Sequence, residues 1–375
     1  MTPRRKPSKV TRRQFMRLAA AAGLGTALAA CSGEVPADPT QVPAPTLPAS
    51  QKGAADPTQV QTQAPTPTLE EAVGQAQTAN QAPTATLEEA VGQAQTATHT
   101  PAPSPGDAAY LAVARGNAPK SITQAALAAI GGMERFVKSG DDVIIKPNIC
   151  VDFRSFEYAA TTNPEVVAAL VELCLGAGAR RVRVMDNPFG GSAESAYANS
   201  GIAAAVAAAG GQMEPMNPAK FRETDIPEGR DISSWPVYQE VLRADVLIDV
   251  PIAKHHSLAR LTLAGKNLLG VIQSRNRMHS KLGQRTADLV SLVRPDLTVV
   301  DAVRMLMANG PGGGSLDDVR LSNTVIASHD IVAADAYAAT LFDLVGEDIA
   351  YVKAAAEMGL GTLDLSAIQI EEIAI

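Results

Sequence analysis

The sequence predicts an α/β fold: a doubly wound, mostly parallel sheet with helices on both faces, preceded by a polar tether. Three observations predict it. Short β-branched runs alternate with Ala-rich stretches of helical period. Polar residues gather directly after the runs. The stretch from Asp107 to Ile375, roughly 270 residues, is long enough to bury one large core.

In chain order, Val143-Ile144-Ile145 is the first strand, and Asn163-Pro164 opens a helix running to Leu175, as a capping residue followed by a first-turn proline does. Val182-Arg183-Val184-Met185 is the second strand, followed by an Ala-rich helix from Gly201 to Ala209. Val246-Leu247-Ile248, a helix from Thr286 to Val293, Leu297-Thr298-Val299-Val300, Thr324-Val325-Ile326-Ala327 and a helix from Ile331 to Leu344 complete the alternation.

The N-terminus reads as an address rather than as fold. Thr11-Arg12-Arg13-Gln14-Phe15-Met16-Arg17 has the twin-arginine form, and a mildly apolar run from Ala19 to Ala30 ends in Leu28-Ala29-Ala30-Cys31. That run is shorter than the roughly 20 apolar residues a bilayer span needs. The expectation is a cleaved signal with Cys31 as the lipidation site. The partners implied are the twin-arginine export machinery and a membrane, reached through the lipid anchor. The location implied is the outer side of the cell membrane or the periplasm. Positions 32–106, rich in Pro, Thr, Gln and Ala, form a disordered linker. Within it Ala64 to Ala79 returns almost unchanged at Ala82 to Ala97, and Ala37 to Val42 at Ala55 to Val60, both with a period of 18. These repeats carry too few apolar residues to stack as a solenoid.

Removing the seven Lys and Arg of positions 1–31 from the 32 in the chain leaves 25 basic residues against 39 acidic, a formal charge of −14. That balance opposes nucleic acid as a partner. With Cys31 acylated, only Cys150 and Cys174 remain, so one chain cannot build a four-cysteine zinc site or an iron-sulfur cluster. Cys174 falls in line with Val166, Val167, Leu170 and Leu173 on a helix, which favours a core thiol over a disulfide.

The chemistry lies at the strand ends. Lys146 and Asn148 follow the first run, Asp186 and Asn187 the second, Asp249 and Lys254-His255-His256 the third, Asp301 the fourth, His329-Asp330 the fifth. If all five strands are parallel, these clusters share the carboxyl edge where open α/β sheets place their ligand crevice. Asp330 before Ile331 reads equally as a helix cap, and Asp186 and Asp301 as ordinary loop starters. A lysine directly after an apolar strand, as Lys146 and Lys254 are, must project into the crevice or be buried at a cost. Lys266-Asn267 stands in an apolar segment with Gly265 and Gly270 on either side, a pairing suited to a carboxylate or phosphate. It lacks the glycine spacing of a phosphate loop.

His279, together with His255 or His256, could supply imidazoles to a metal or to proton transfer, with Asp186 as a further metal candidate; its plainer reading is a solvated loop residue. Asp335 shares a helical face with Ala338 and Phe342, so it faces core or crevice and needs a partner, for which a crevice lysine is the candidate. Gly310-Pro311-Gly312-Gly313-Gly314 is a lid or a plain connector.

Taken together, Ile145-Lys146-Pro147-Asn148, Thr161-Thr162-Asn163-Pro164-Glu165, Val250 to His256, Gly265 to Gly270, Arg294 to Asp301, Asn309-Gly310-Pro311 and Asp330 to Asp335 resemble the domain of unknown function 362 family. The resemblance covers most of the chain from about Leu111. It implies an α/β fold and, for several members, twin-arginine export. Some relatives carry ferredoxin-type cysteine clusters, an implication that the cysteine count here does not carry over.

The functional expectation is an exported lipoprotein with a crevice for a small anionic molecule. Lys146, Asn148, Lys254, Lys266, Asn267 and Asp335 are its ligand-binding candidates, and His255, His279 and Asp301 its catalytic ones. The cofactor class left open is a divalent metal held by His255, His279 or Asp186, with no iron-sulfur cluster. The alternative is a non-catalytic ligand-binding lipoprotein.

Overall fold

The computed structural model describes residues 108–375, and the signal, Cys31 and the linker lie outside the described residues. Along the chain run β1 (Leu111–Arg115), α1 (Pro119–Ala129), β2 (Asp142–Pro147), α2 (Pro164–Gly176), β3 (Arg181–Val184), α3 (Ala193–Asn199), α4 (Ile202–Ala208) and β4 (Gln212–Met213). A small antiparallel hairpin, β5 (Phe221–Asp225) and β6 (Ser234–Tyr238), precedes α5 (Gln239–Arg243). Then come β7 (Val246–Val250), β8 (Ile252–His256), β9 (Arg260–Thr262), α6 (Ala264–Asn267), α7 (Leu282–Val293), β10 (Leu297–Leu306), β11 (Val319–Ser328), α8 (Ile331–Thr340), α9 (Ala350–Glu357) and β12 (Ile370–Ala374).

The main sheet is ordered β12-β1-β11-β10-β7-β2-β3-β4, with β8 continuing beside β10 and β9 folded back on β8. The stretch β10-β7-β2-β3-β4 is parallel throughout. Alternate residues of its central strands face opposite ways. Ile144 and Leu247 join one apolar cluster with α7, α8 and α9. Val143, Ile145, Ile248 and Val250 join another with α1, α2 and α4. Both faces are therefore covered, which is why these strands are unbroken apolar runs.

The expected doubly wound α/β architecture is present, with one change of direction. β11 pairs antiparallel with both β10 and β1. Its carboxyl end lies beside the amino end of β10, Ser328 facing Thr298, so His329-Asp330 leaves the sheet away from the other polar clusters. Asp330 caps α8, accepting from the Val332 and Ala333 amides at 2.8 and 3.0 Å, and takes the Tyr110 hydroxyl at 2.6 Å. The fourth predicted strand also runs on to Leu306, so Asp301 stands inside β10 rather than after it.

Candidate functional site

Three strand ends and one helix converge on a cleft of about 480 Å³. Lys146 comes from the end of β2, and Asn148, Ile149 and Cys150 follow it in the loop beyond; all four line the cleft. From β8 two-residue alternation turns Lys254 and His256 inward. α6 brings Lys266 and Asn267, and the following loop brings Arg275 and His279.

The floor of the cleft is a largely buried polar network. Lys146 Nζ forms a 2.8 Å ion pair with Asp186 and donates to Asn267 Oδ1 and the Pro147 carbonyl, both at 2.9 Å. Asn267 donates to Asp249 at 2.8 Å, and Asn148 donates to Asn267 at 2.8 Å. Burial first, and the Asp335 and Asp186 carboxylates beyond it, lift the Asp249 pKa well above the carboxylate range, although Lys146 and Asn267 oppose the shift. Asp186, rather than Asp249, is the ion-pair partner of Lys146. Gly270 is required here because a Cβ would overlap Asp186 Oδ1 and come within 2.6 Å of Lys146 Nζ.

Lys254 is held differently. Its ammonium donates to Asn148 Oδ1 at 2.9 Å, the Ala160 carbonyl at 2.7 Å and the Pro311 carbonyl at 3.1 Å, using all three hydrogens on neutral acceptors. Burial pulls its pKa down. The loop expected as a lid or connector thus contributes a backbone acceptor to the cleft wall through Pro311. The Cys150 thiol donates to the same carbonyl at 3.4 Å.

Lys266 has no hydrogen bond or ion pair among the described residues. Burial first, then the positive charges of Lys254 and Arg275, pull its pKa down from 10.5 to about 8. Arg275 reaches the Asn187 carbonyl through Nη2 at 2.6 Å. His256 Nδ1 accepts from the Leu258 and Ala259 amides at 3.1 and 3.3 Å, which assigns the proton of the neutral ring to Nε2. Burial, and then nearby Lys266 and Lys254, drive its pKa down to about 3, so the ring is a neutral donor across the physiological range. The mouth is apolar: Phe189 and Leu258, 62% and 66% exposed, both line it.

The sequence-predicted residues divide accordingly. Lys146, Asn148, Lys254, Lys266, Asn267, Asp186 and His279 come together at the cleft. Three expected there do not. His255 points to the other face of β8, where its Nδ1 accepts from the Gly310 amide at 3.1 Å, because strand alternation admits only one of the paired histidines. Asp301 is enclosed within β10 and accepts from the Asn163 and Val303 amides at 2.6 and 2.9 Å, so it anchors the start of α2; burial raises its pKa to about 6. Asp335 meets no crevice lysine. It accepts from the Ala264 and Gly265 amides at 2.7 and 2.9 Å, fastening the first turn of the helix that carries Lys266 and Asn267.

The metal reading loses its donor set. Among the described residues no three His, Cys, Asp or Glu side chains are placed to hold a metal ion. Cys150 and Arg275, which the sequence reading did not assign to the cleft, line it. The signal for Cys150 was its place in the short loop after β2, close behind Lys146 and Asn148. Cys150 and Cys174 are both free, and burial in α2 raises the Cys174 thiol to about 12.

Asp335 yields a direct test. Burial raises its pKa from 3.8 to about 7 against the two amides, so the folded protein holds a proton that the unfolded chain releases. Its contribution to stability is fully present below pH 3.8 and is lost as pH rises through about 7. Asp335→Asn should remove that slope. Below pH 3.8 it should also cost about 1–3 kcal/mol, because the amide NH2 must face one of the two N–H groups, and that difference should shrink as pH rises toward 7. Urea unfolding of both proteins across this pH range checks it, and identical slopes would refute the assignment.

The family described as Domain of unknown function (DUF362) matches residues 143–340. A thylakoid-associated protein of Synechocystis sp. is 27% identical over 240 residues, which cover 62% of this chain and 72% of that protein. Among solved structures, the lactate racemase apoprotein from Thermoanaerobacterium thermosaccharolyticum aligns with a TM-score of 0.38 and 11% identity, over 58% of this chain and 54% of that one. A protein from Thermotoga maritima aligns with a TM-score of 0.37 and 11% identity, over 65% of this chain and 60% of that one. The chain thus spans between half and two thirds of the length of each of these two structures.

Proposed function

The chain belongs to the family described as Domain of unknown function (DUF362), and from that premise we propose that it is an exported, lipid-anchored enzyme whose cleft binds a small anionic molecule. One observation carries the ligand class. Lys266 is a half-buried ammonium without a counter-ion, set beside Lys254 and Arg275, while the carboxylate that lines the cleft, Asp186, is already paired with Lys146. Four cations, Lys146, Lys254, Lys266 and Arg275, against the one carboxylate that lines the cleft favour an anion from outside. Catalysis is favoured over simple capture by His256, whose buried neutral ring lines the same cleft and offers one N–H to a ligand oxygen.

The binding test has a signed pH dependence. The ammonium form of Lys266 binds the anion, so affinity for inorganic sulfate, whose charge is constant across this range, should be level well below pH 8. As pH rises further, affinity should fall by up to about tenfold per unit as the proton is lost. Lys266→Met should weaken binding throughout, and Lys266→Arg should keep it and abolish the pH dependence. Calorimetric titration reads all three, and binding unchanged by Lys266→Met would overturn the proposal.

Export rests on the twin-arginine and Cys31 motifs, and the thylakoid association named for the cyanobacterial relative supports a membrane location. No helix among the described residues is long and apolar enough to cross a membrane, so attachment would fall to the lipid. Cys31→Ser should move the protein from the membrane fraction to the soluble one. Retention in the membrane fraction would refute the anchor.

A further inference from the structure

The three lysines of the cleft are not equivalent, and the difference bears on chemistry rather than on charge. Lys146 spends its three hydrogens on Asp186, Asn267 and the Pro147 carbonyl. Lys254 spends its own on Asn148, Ala160 and Pro311. A fully donated ammonium has no lone pair to offer. Lys266 alone among them has no acceptor, and the cleft it lines is also lined by the apolar Leu269, Leu258 and Phe189. A desolvated lysine among other cations is the arrangement that frees an amine lone pair at ordinary pH.

We propose that the Lys266 amine condenses with the carbonyl of a 2-oxo acid bearing an apolar side chain, bound with its carboxylate on Arg275. This rests on the reading of the cleft as an anion site and goes one step further, from holding an anion to bonding with it. Arg275 commits only one guanidinium nitrogen to the Asn187 carbonyl, and its remaining donors suit a carboxylate. In a 2-oxo acid the ketone carbon adjoins that carboxylate, so an anion held by Arg275 presents its carbonyl to the neighbouring amine. His256 supplies Nε2–H to the carbonyl oxygen. Leu258, Phe189 and Leu269 take the apolar remainder, and a cleft of about 480 Å³ has room for it.

The step balances without an oxidant or reductant. The nitrogen lone pair forms a C–N bond while the C=O π pair moves to oxygen, which takes up a proton. The nitrogen then gives up one of its two hydrogens, the hydroxyl takes up a second proton, and the C–O bond breaks as the nitrogen lone pair forms C=N; amine, ketone and one proton have become water and an imine that keeps one hydrogen on nitrogen. With its pKa at about 8, Lys266 offers about a tenth of its population as free amine at pH 7.

The test uses the full chain with phenylpyruvate and cyanoborohydride, read by intact mass and peptide mapping. The expected result is a single reduced adduct on the peptide containing Lys266, lost in Lys266→Arg and suppressed by excess inorganic phosphate in the parent protein. Phenylpyruvate that binds by calorimetry but leaves Lys266 unmodified overturns the imine and leaves the anion site standing. Absence of binding overturns both. Adducts scattered over surface lysines and undiminished by phosphate also overturn the imine.

Discussion

Lys146→Met should destabilise the folded domain by about 3–5 kcal/mol at pH 7, the largest effect expected of any substitution at the cleft. The methionine fills most of the lysine's volume, so little of the loss is packing. The cost arises because Asp186 is left as a buried carboxylate whose remaining support is the Ile149 amide at 2.7 Å. Asn267 also loses the donor to its carbonyl, although Asn148 still reaches it. Removing both charges is a different matter: the double variant Lys146→Met, Asp186→Leu should recover a large part of the stability, because a buried ion pair contributes little net stability against an apolar pair. Denaturant unfolding of the two single variants and the double variant gives the coupling directly. A single variant within about 1 kcal/mol of the parent would show that the pair is solvated rather than enclosed.

Gly270→Ala attacks the same pair from the backbone. The added methyl would occupy the position of Asp186 Oδ1 and press on the Lys146 ammonium, and neither group can swing away, since both are fastened to other partners. The expected loss is at least the 1–3 kcal/mol typical of overpacking, with weaker anion binding because Asn267 and Lys266 ride on the preceding turn. Gly176→Ala is the control. It lies at the end of α2, where a Cβ meets nothing within 4 Å, and should be neutral or stabilising by roughly 0.5–1 kcal/mol. Thermal melts of the two variants should therefore move in opposite directions, and equal shifts would contradict the packing described at Gly270.

The cleft was legible from position rather than from motif. Lysines directly after apolar strands have few places to go, so Lys146 and Lys254 were expected at the crevice, and both line it. Strand direction and length were not legible in the same way. His329 and Asp330 follow an apolar run as Lys146 does, yet β11 runs the opposite way. Asp301 follows four apolar residues and still lies in mid-strand, because β10 is ten residues long. Choosing between His255 and His256 required knowing which of two neighbours shares a face with Lys254. Two-residue alternation supplies that answer once the segment is known to be extended.

The sequence by itself determined the fold class and the central elements, β2, β3, β7, β10 and β11 with α2, α4, α7 and α8, because burial on both faces writes itself into local composition. It also determined which residue types could meet an anion. Only the tertiary structure decided which of those residues meet it. Whether an ammonium is spent or available depends on acceptors that arrive from distant segments: Asp186 for Lys146, and Ala160 and Pro311 for Lys254. Lys266 receives none among the described residues, and no pattern of neighbours along the chain could have said so.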